Sequence, residues 1–284
     1  MTVTTVTTRD GRALHVERHG ARRPTVVFES GMGACGAWWG AVVPRVAVRA
    51  TAVVYDRAGL GGSSPDPRPR TLARLAGDLV DLLDHLGDGP FVLVGHSWGG
   101  PIVRCAAAAA AERVGGLVLV DATDEGCDRF FSRVAALQTR WFLAALPALA
   151  RIGALRMAVW ASARALPTEA AARVRLVEGS AAHARAYRAE LAPSIAELRV
   201  LAASPPPCPD VPVTVVSGMR SSRPGRGRRD ALVAAHRARA ASFPQGRHVS
   251  ATRSGHLVPL TEPQLVADEV LRIIDLIEEE ANPS

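Results

Sequence analysis

The sequence predicts an α/β fold organised around a mostly parallel, doubly wound sheet, and three observations carry that prediction. Short apolar runs alternate with stretches of helical character, the order that builds a parallel sheet with helices on both faces. Most of these runs are apolar at consecutive positions, as strands buried on both faces are. One of them, FVLVGHSWGG from Phe91 to Gly100, stops in a glycine-bracketed turn and leads into an alanine-rich segment, Ala106 to Ala111, of strong helix formers.

Taken in order, the elements agree. Thr2 to Thr8 and Ala13 to Arg18 flank an Asp10-Gly11 turn and form an antiparallel hairpin at the sheet edge. Thr25 to Ser30, Thr51 to Asp56, Phe91 to Gly95, Gly116 to Asp121, Pro212 to Gly218 and Arg247 to Thr252 supply the other strands of an eight-stranded sheet. Leu72 to Leu86 and Leu265 to Ile277 are the clearest helices. The rhythm breaks once, between Thr123 and Pro212. That segment is rich in Ala, Leu and Arg, carries Phe130, Phe131, Trp141, Phe142 and Trp160, and is interrupted by Pro147, Pro167 and Pro193. The expected organisation is a core from residues 1–123 and 211–284 with a helical insertion at 124–210 over the strand ends. The Gly/Pro-rich stretches are loop-sized, and no repeat or linker divides the chain.

The turn at Ser97 carries the chemistry. A strand that reverses into a helix within so few residues brings backbone against backbone, and Gly95 and Gly99 remove the side chains that would collide. The serine is left pointing outward at the start of a helix. This GxSxG pattern, strand before and helix after, resembles the nucleophile elbow of the α/β-hydrolase superfamily, and the resemblance implies that Ser97 is a nucleophile.

A serine hydroxyl needs a neighbouring base, and histidine suits that task near neutral pH. Of the eight histidines, His256 in RSGHLVPLTEP follows the last strand and precedes the final helix, where the resemblance places the base. His96 adjoins the serine in sequence, but neighbours around a sharp bend diverge, so its ring is expected beneath the turn. The remaining histidines have surface or packing roles by default.

The imidazole needs an acid to fix its tautomer. Superfamily members usually carry one after the seventh strand, yet this chain reads VSGMRSSRPGRGRRD there, with no carboxylate before Asp230. A variant of the superfamily places the acid after the sixth strand, where LVLVDATDEG offers Asp121. Asp121 is therefore the first choice, ahead of Asp124 and Asp230, with a capping role as its bland alternative. The resemblance also implies oxyanion donors at the backbone amides of Met32 and Trp98. It places a helical cap in the insertion after the sixth strand. Trp38 and Trp39 are candidates for the wall of a substrate pocket or for the core. Asp56 and Arg57, in YDRAGLGGS, are expected to hold loops together.

Composition excludes several classes. The chain has 284 residues, 48% hydrophobic and 21% charged, an ordinary globular balance. Cys35, Cys105, Cys127 and Cys208 are scattered without metal-ligand spacing, so no metal, disulfide or cofactor is expected. The net charge of +7 comes entirely from arginine, the sequence having no lysine. The densest basic patch, Arg220, Arg223, Arg226, Arg228 and Arg229, lacks interleaved aromatics and is expected to be a solvated loop with no nucleic-acid role. MTVTTVTTRDGR shows no secretory h-region and Trp141 to Ala150 is too short to span a bilayer, so a cytoplasmic protein without membrane contact is expected.

The resulting expectation is a serine hydrolase of carboxylic esters or related acyl groups (thioester, lactone) acting on a small, partly apolar substrate. The alternative is a non-hydrolytic enzyme of the same fold, a lyase, perhydrolase or biosynthetic cyclase, since fold does not fix function. A serine at position 97 argues against the dehalogenase and epoxide hydrolase chemistries, which in the resembled superfamily need a carboxylate there. Oligomeric state is not readable from the chain.

Overall fold

The computed structural model describes residues 1–221 and 225–281. Eight strands form one sheet: β1 (Thr2–Thr7), β2 (Ala13–His19), β3 (Thr25–Glu29), β4 (Thr51–Tyr55), β5 (Phe91–His96), β6 (Val114–Val120), β7 (Val213–Gly218) and β8 (Gly246–Ala251). Their order is β1-β2-β4-β3-β5-β6-β7-β8. The predicted hairpin is present, with Thr2 opposite Arg18, and β2 joins β4 antiparallel. From β4 to β8 every pairing is parallel.

Alternation along the central strands sends side chains to two separate cores. Val27, Leu93, Leu117 and Val215 pack with α2 (Leu72–Leu86) and α3 (Gly99–Ala109) on one face. Val26, Phe28, Val92, Val94, Val118 and Val216 pack on the other with α1 (Val43–Val46) and α10 (Pro263–Ala281). Helix α2 starts where Thr71 accepts a hydrogen bond from Arg74 N, a side-chain cap for an otherwise orphan amide. Its buried Leu72, Leu75, Leu79, Leu82 and Leu83 follow the helical period.

Four helices fill the long connection between β6 and β7: α4 (Arg133–Arg151), α5 (Ala154–Ala163), α6 (Thr168–Val177) and α7 (Ala181–Ala203). Then come α8 (Arg226–Ala241), packed on β7 and β8, and the short α9 (Val258–Thr261) before α10. The structure corrects the expectation of a solvated loop for the arginine patch. Arg226, Arg228 and Arg229 form the first turn of α8, because Leu232, Val233, Ala235, His236 and Ala240 give that segment an apolar face to bury. Arg223 lies outside the described residues. Among the described residues, no single helix is long and apolar enough to cross a membrane.

Candidate active site

The chain direction through the sheet reverses at β3, which leads outward to β4 on one side while β5 lies on the other. Crevices form at the carboxyl ends of strands flanking such a point. The ends of β3, β5, β6 and β8 lead into Met32, Ser97, Asp121 and His256.

Ser97 has φ of +54°, a left-handed backbone that costs a non-glycine residue about 1–3 kcal/mol. Its neighbours hold it there. Ser97 N donates to Val120 O at 3.2 Å, and Ser97 O accepts from Thr123 N at 2.9 Å and from Gly100 N at 3.0 Å. The two flanking glycines are required: a Cβ on Gly95 would lie 2.5 Å from Gly99 O, and one on Gly99 would lie 2.4 Å from Glu29 O. Asp121, at the end of the adjacent strand, is the other described non-glycine residue with positive φ, at +41°.

His256 Nδ1–H donates to Asp121 Oδ2 at 2.7 Å. That bond leaves the lone pair of a neutral imidazole on Nε2. Asp121 is fully buried and accepts two further bonds at Oδ1, from Gly218 N at 2.9 Å and from Arg229 Nη1 at 2.5 Å. Burial alone would raise its pKa, but the bond and charge of His256, and then those of Arg229, hold it down at about 2. Asp124 faces elsewhere, paired with Arg239 at 3.0 Å, and Asp230 is exposed on α8. Of the three carboxylates weighed from sequence, only Asp121 meets His256.

Ser97 and His256 line the same cavity of about 400 Å3, walled by Met32, Trp38, Val159, Tyr187 and Leu260 among others. A second cleft of about 390 Å3 reaches both residues from the other side, bordered by Thr123, Phe130, Arg220, Arg228 and Arg229. The two side chains are not hydrogen-bonded to each other in this resting arrangement, a contact that commonly tightens only around substrate. Among the described residues, the backbone amides of Met32 and Trp98 donate to no acceptor. Gly31 keeps the approach to the serine open, since a Cβ there would lie 3.3 Å from Ser97 Cβ.

The loop carrying Met32 is clamped from both sides. Arg57, buried at the end of β4, donates to Ser30 O at 2.7 Å and to Gly31 O at 2.6 Å. Asp56 accepts from Gly36 N at 3.0 Å, so both residues hold loops as expected. From the inserted helices, Glu190 accepts from Gly33 N at 2.8 Å and from Arg57 Nη2 at 2.7 Å, while His183 Nε2 donates to Gly33 O at 2.9 Å. Glu178 accepts from Cys35 N at 2.8 Å and from Trp38 Nε1 at 2.7 Å. Burial pushes the Glu178 carboxyl up to about 7 against the pull of those donors.

A match to the α/β-hydrolase fold covers residues 24–263. The chain belongs to the α/β-hydrolase fold family. This α/β-hydrolase-fold chain is 34% identical over 134 residues to a protein of Azorhizobium caulinodans assigned as the carbamate hydrolase RutD, a stretch equal to 47% of this chain and 50% of that protein. It is 36% identical over 112 residues to the lipase LipV of Mycobacterium tuberculosis, covering 38% and 41% of the two. The chain thus spans about half the length of the curated relatives it matches, or less. Among solved structures, the epoxide hydrolase CorEH superposes with a TM-score of 0.76 at 20% identity, covering 97% of this chain and 99% of that one. A thermophilic esterase from Thermogutta terrifontis gives 0.72 at 23% identity, covering 98% and 99%.

One sequence reading of this α/β-hydrolase-fold chain needs correction. The His96 ring does not sit beneath the turn. It lies against the His256 ring, with centroids 4.8 Å apart, and its Nε2 donates to His256 O at 2.8 Å. The bend diverges in backbone direction, but the loop from β8 folds back over it. Burial and the neighbouring His256 lower the His96 pKa to about 4, so it is neutral at ordinary pH. Trp38 and Trp39 split the two roles left open for them. Trp38 is half-buried on the cavity wall. Trp39 touches the cavity but is 1% exposed and packs on Phe28 in the core.

Sequence reasoning missed Arg229, Glu178, His183 and Glu190. The only trace of Arg229 was its place in an arginine run; the others carried no motif.

Proposed function

We propose that the protein is a serine hydrolase that cleaves a carboxylic ester or a related acyl bond through an acyl-enzyme on Ser97. The observation that carries this reading is the 2.7 Å bond from His256 to the buried Asp121, made beside a serine held at positive φ in the same cavity. In this reading Ser97 Oγ attacks the acyl carbon as its proton passes to His256 Nε2. Asp121 holds the imidazole in the required tautomer and stabilises the imidazolium that forms. The unoccupied amides of Met32 and Trp98 receive the oxyanion, donors whose loss typically costs about 10²–10³ in rate. The imidazolium returns the proton to the leaving group. Water, deprotonated by the same nitrogen, then releases the acid and regenerates Ser97.

The inserted helices at 124–210 act as a cap, because Val159 and Tyr187 help to wall the cavity. With Trp38 and Leu260 they make an apolar site for a small acyl group. The arginine-bordered cleft is open to the other half of the substrate. No cofactor enters this chemistry.

A fluorophosphonate probe tests the reading directly. It should label wild-type protein at Ser97 and leave Ser97→Ala unlabelled, and p-nitrophenyl esters of graded chain length should be turned over by the wild type alone. Folded protein that resists the probe would favour the lyase, perhydrolase or cyclase reading instead.

A further inference from the structure

Helices α4 and α5 are unlike the rest of the fold. Across the nineteen residues of α4 only Leu146 is buried, and across the ten of α5 only Ala163. Yet large apolar side chains stand exposed on them and at Ile152 between them: Val134 is 65% exposed, Leu137 55%, Trp141 68%, Ile152 75% and Met157 58%. Val134, Leu137 and Trp141 recur at helical spacing, so they share one face of α4. Contiguous apolar surface of this kind marks a docking site rather than ordinary scatter.

Charge selects the occupant. From Arg129 to Pro167 the chain holds six arginines, at 129, 133, 140, 151, 156 and 164, and no carboxylate. All six are exposed, and among the described residues none is paired with an acid. Arg156 instead stacks on Trp160 at 5.2 Å. Two copies of this face would bring like charges together, which disfavours self-association. Nucleic acid would leave the aliphatic side chains of Val134, Leu137, Ile152 and Met157 without a partner. Aliphatic and tryptophan side chains set among arginines match the region between acyl chains and anionic headgroups.

We propose that α4 and α5 lie in the plane of an anionic lipid bilayer and dock the protein there. The two helices meet at 89° and neither alone is both long and apolar enough to cross, so the contact is interfacial. This departs from the sequence expectation of no membrane contact, which rested on the length of uncharged stretches and not on what the folded surface leaves uncovered. Helix α5 also contributes Ala158 and Val159 to the cavity over Ser97.

Co-sedimentation of the full chain with phosphatidylcholine vesicles, with and without phosphatidylglycerol, tests the proposal. Binding should be about tenfold tighter or more to the anionic vesicles and should weaken as salt rises. The exposed pair Leu137→Gln/Trp141→Gln should reduce it about tenfold. Arg133→Gln/Arg140→Gln should reduce it by about fivefold per arginine, with circular dichroism unchanged in both variants. Equal binding to neutral vesicles, or no binding, overturns the proposal. A dimer seen by light scattering and lost in Leu137→Gln/Trp141→Gln, without vesicle binding, would assign the face to a second copy of the chain.

Discussion

Asp121 Oδ2 lies 2.7 Å from His256 Nδ1 across 135 residues of sequence. The bond joins the end of β6 to the loop after β8, and Asp121 adopts a left-handed φ of +41° to make it. If this bond sets the imidazole tautomer, Asp121→Asn should lower kcat by around 10⁴ while the protein still folds. Asp124→Asn and Asp230→Asn should remain active, because Asp124 faces Arg239 and Asp230 faces solvent. Steady-state kinetics on a p-nitrophenyl ester decides this. Full activity in Asp121→Asn would remove it from the mechanism.

Arg229 acts on the same carboxylate. Its guanidinium meets Asp121 Oδ1, the oxygen that His256 does not use. Removing a cation beside a buried carboxylate raises the carboxylate's pKa. Arg229→Gln should therefore move the acid limb of the kcat/KM profile to higher pH and lower kcat by about tenfold, within the range for lost charge-assisted hydrogen bonds. KM for a small neutral ester should change little. A profile that superposes on the wild type would show that Arg229 only packs against the acid.

What was legible in the sequence follows from how local each constraint is. The bend at Ser97 could be read because tight backbone contact dictates glycine at two nearby positions, and the strands could be read because burial on both faces dictates consecutive apolar residues. Asp121 came from the family resemblance, which offers a variant position after β6 when the usual one after β7 holds no acid. Arg229 could not be found that way. Its partner lies 108 residues away, and nothing in a run of arginines says which one turns inward. Glu178 and Glu190 were hidden for the same reason: the loop amides they cap are 143 and 157 residues distant.

The two glycines of the bend make a stability prediction that is separate from catalysis. At Gly99 an added methyl would meet the backbone oxygens of Glu29 and Ser30, and at Gly95 it would meet the backbone of Gly99, so neither site can relax by moving a side chain. Gly95→Ala and Gly99→Ala should each destabilise by about 1–3 kcal/mol, the usual cost of overpacking. Gly77→Ala, on α2 with nothing near the added methyl, should not. Urea midpoints of the three variants check this. Equal midpoints would mean that the turn is looser than its backbone contacts indicate.

Glu178 ties the inserted helices to the loop that carries Met32 and Cys35, and should leave its mark on stability as pH changes. Its carboxyl is held near 7, above the ordinary 4.5, chiefly by burial, with Cys35 N, Trp38 Nε1 and the His183 ring around it. Between those two values the folded state holds a proton that the unfolded chain has lost. Stability therefore falls as pH rises from 4.5 to 7 and levels off above. A rise from 4.5 to about 7 corresponds to about 3 kcal/mol. Glu178→Gln keeps an acceptor for Cys35 N and Trp38 Nε1 but cannot ionise. Relative to wild type it should gain stability as pH is raised from about 5 to about 8, by up to that amount, in thermal melts read at each pH. A difference between wild type and Glu178→Gln that stays constant across the range would mean that the carboxyl titrates normally, and that its bonds to the loop cost nothing in ionisation.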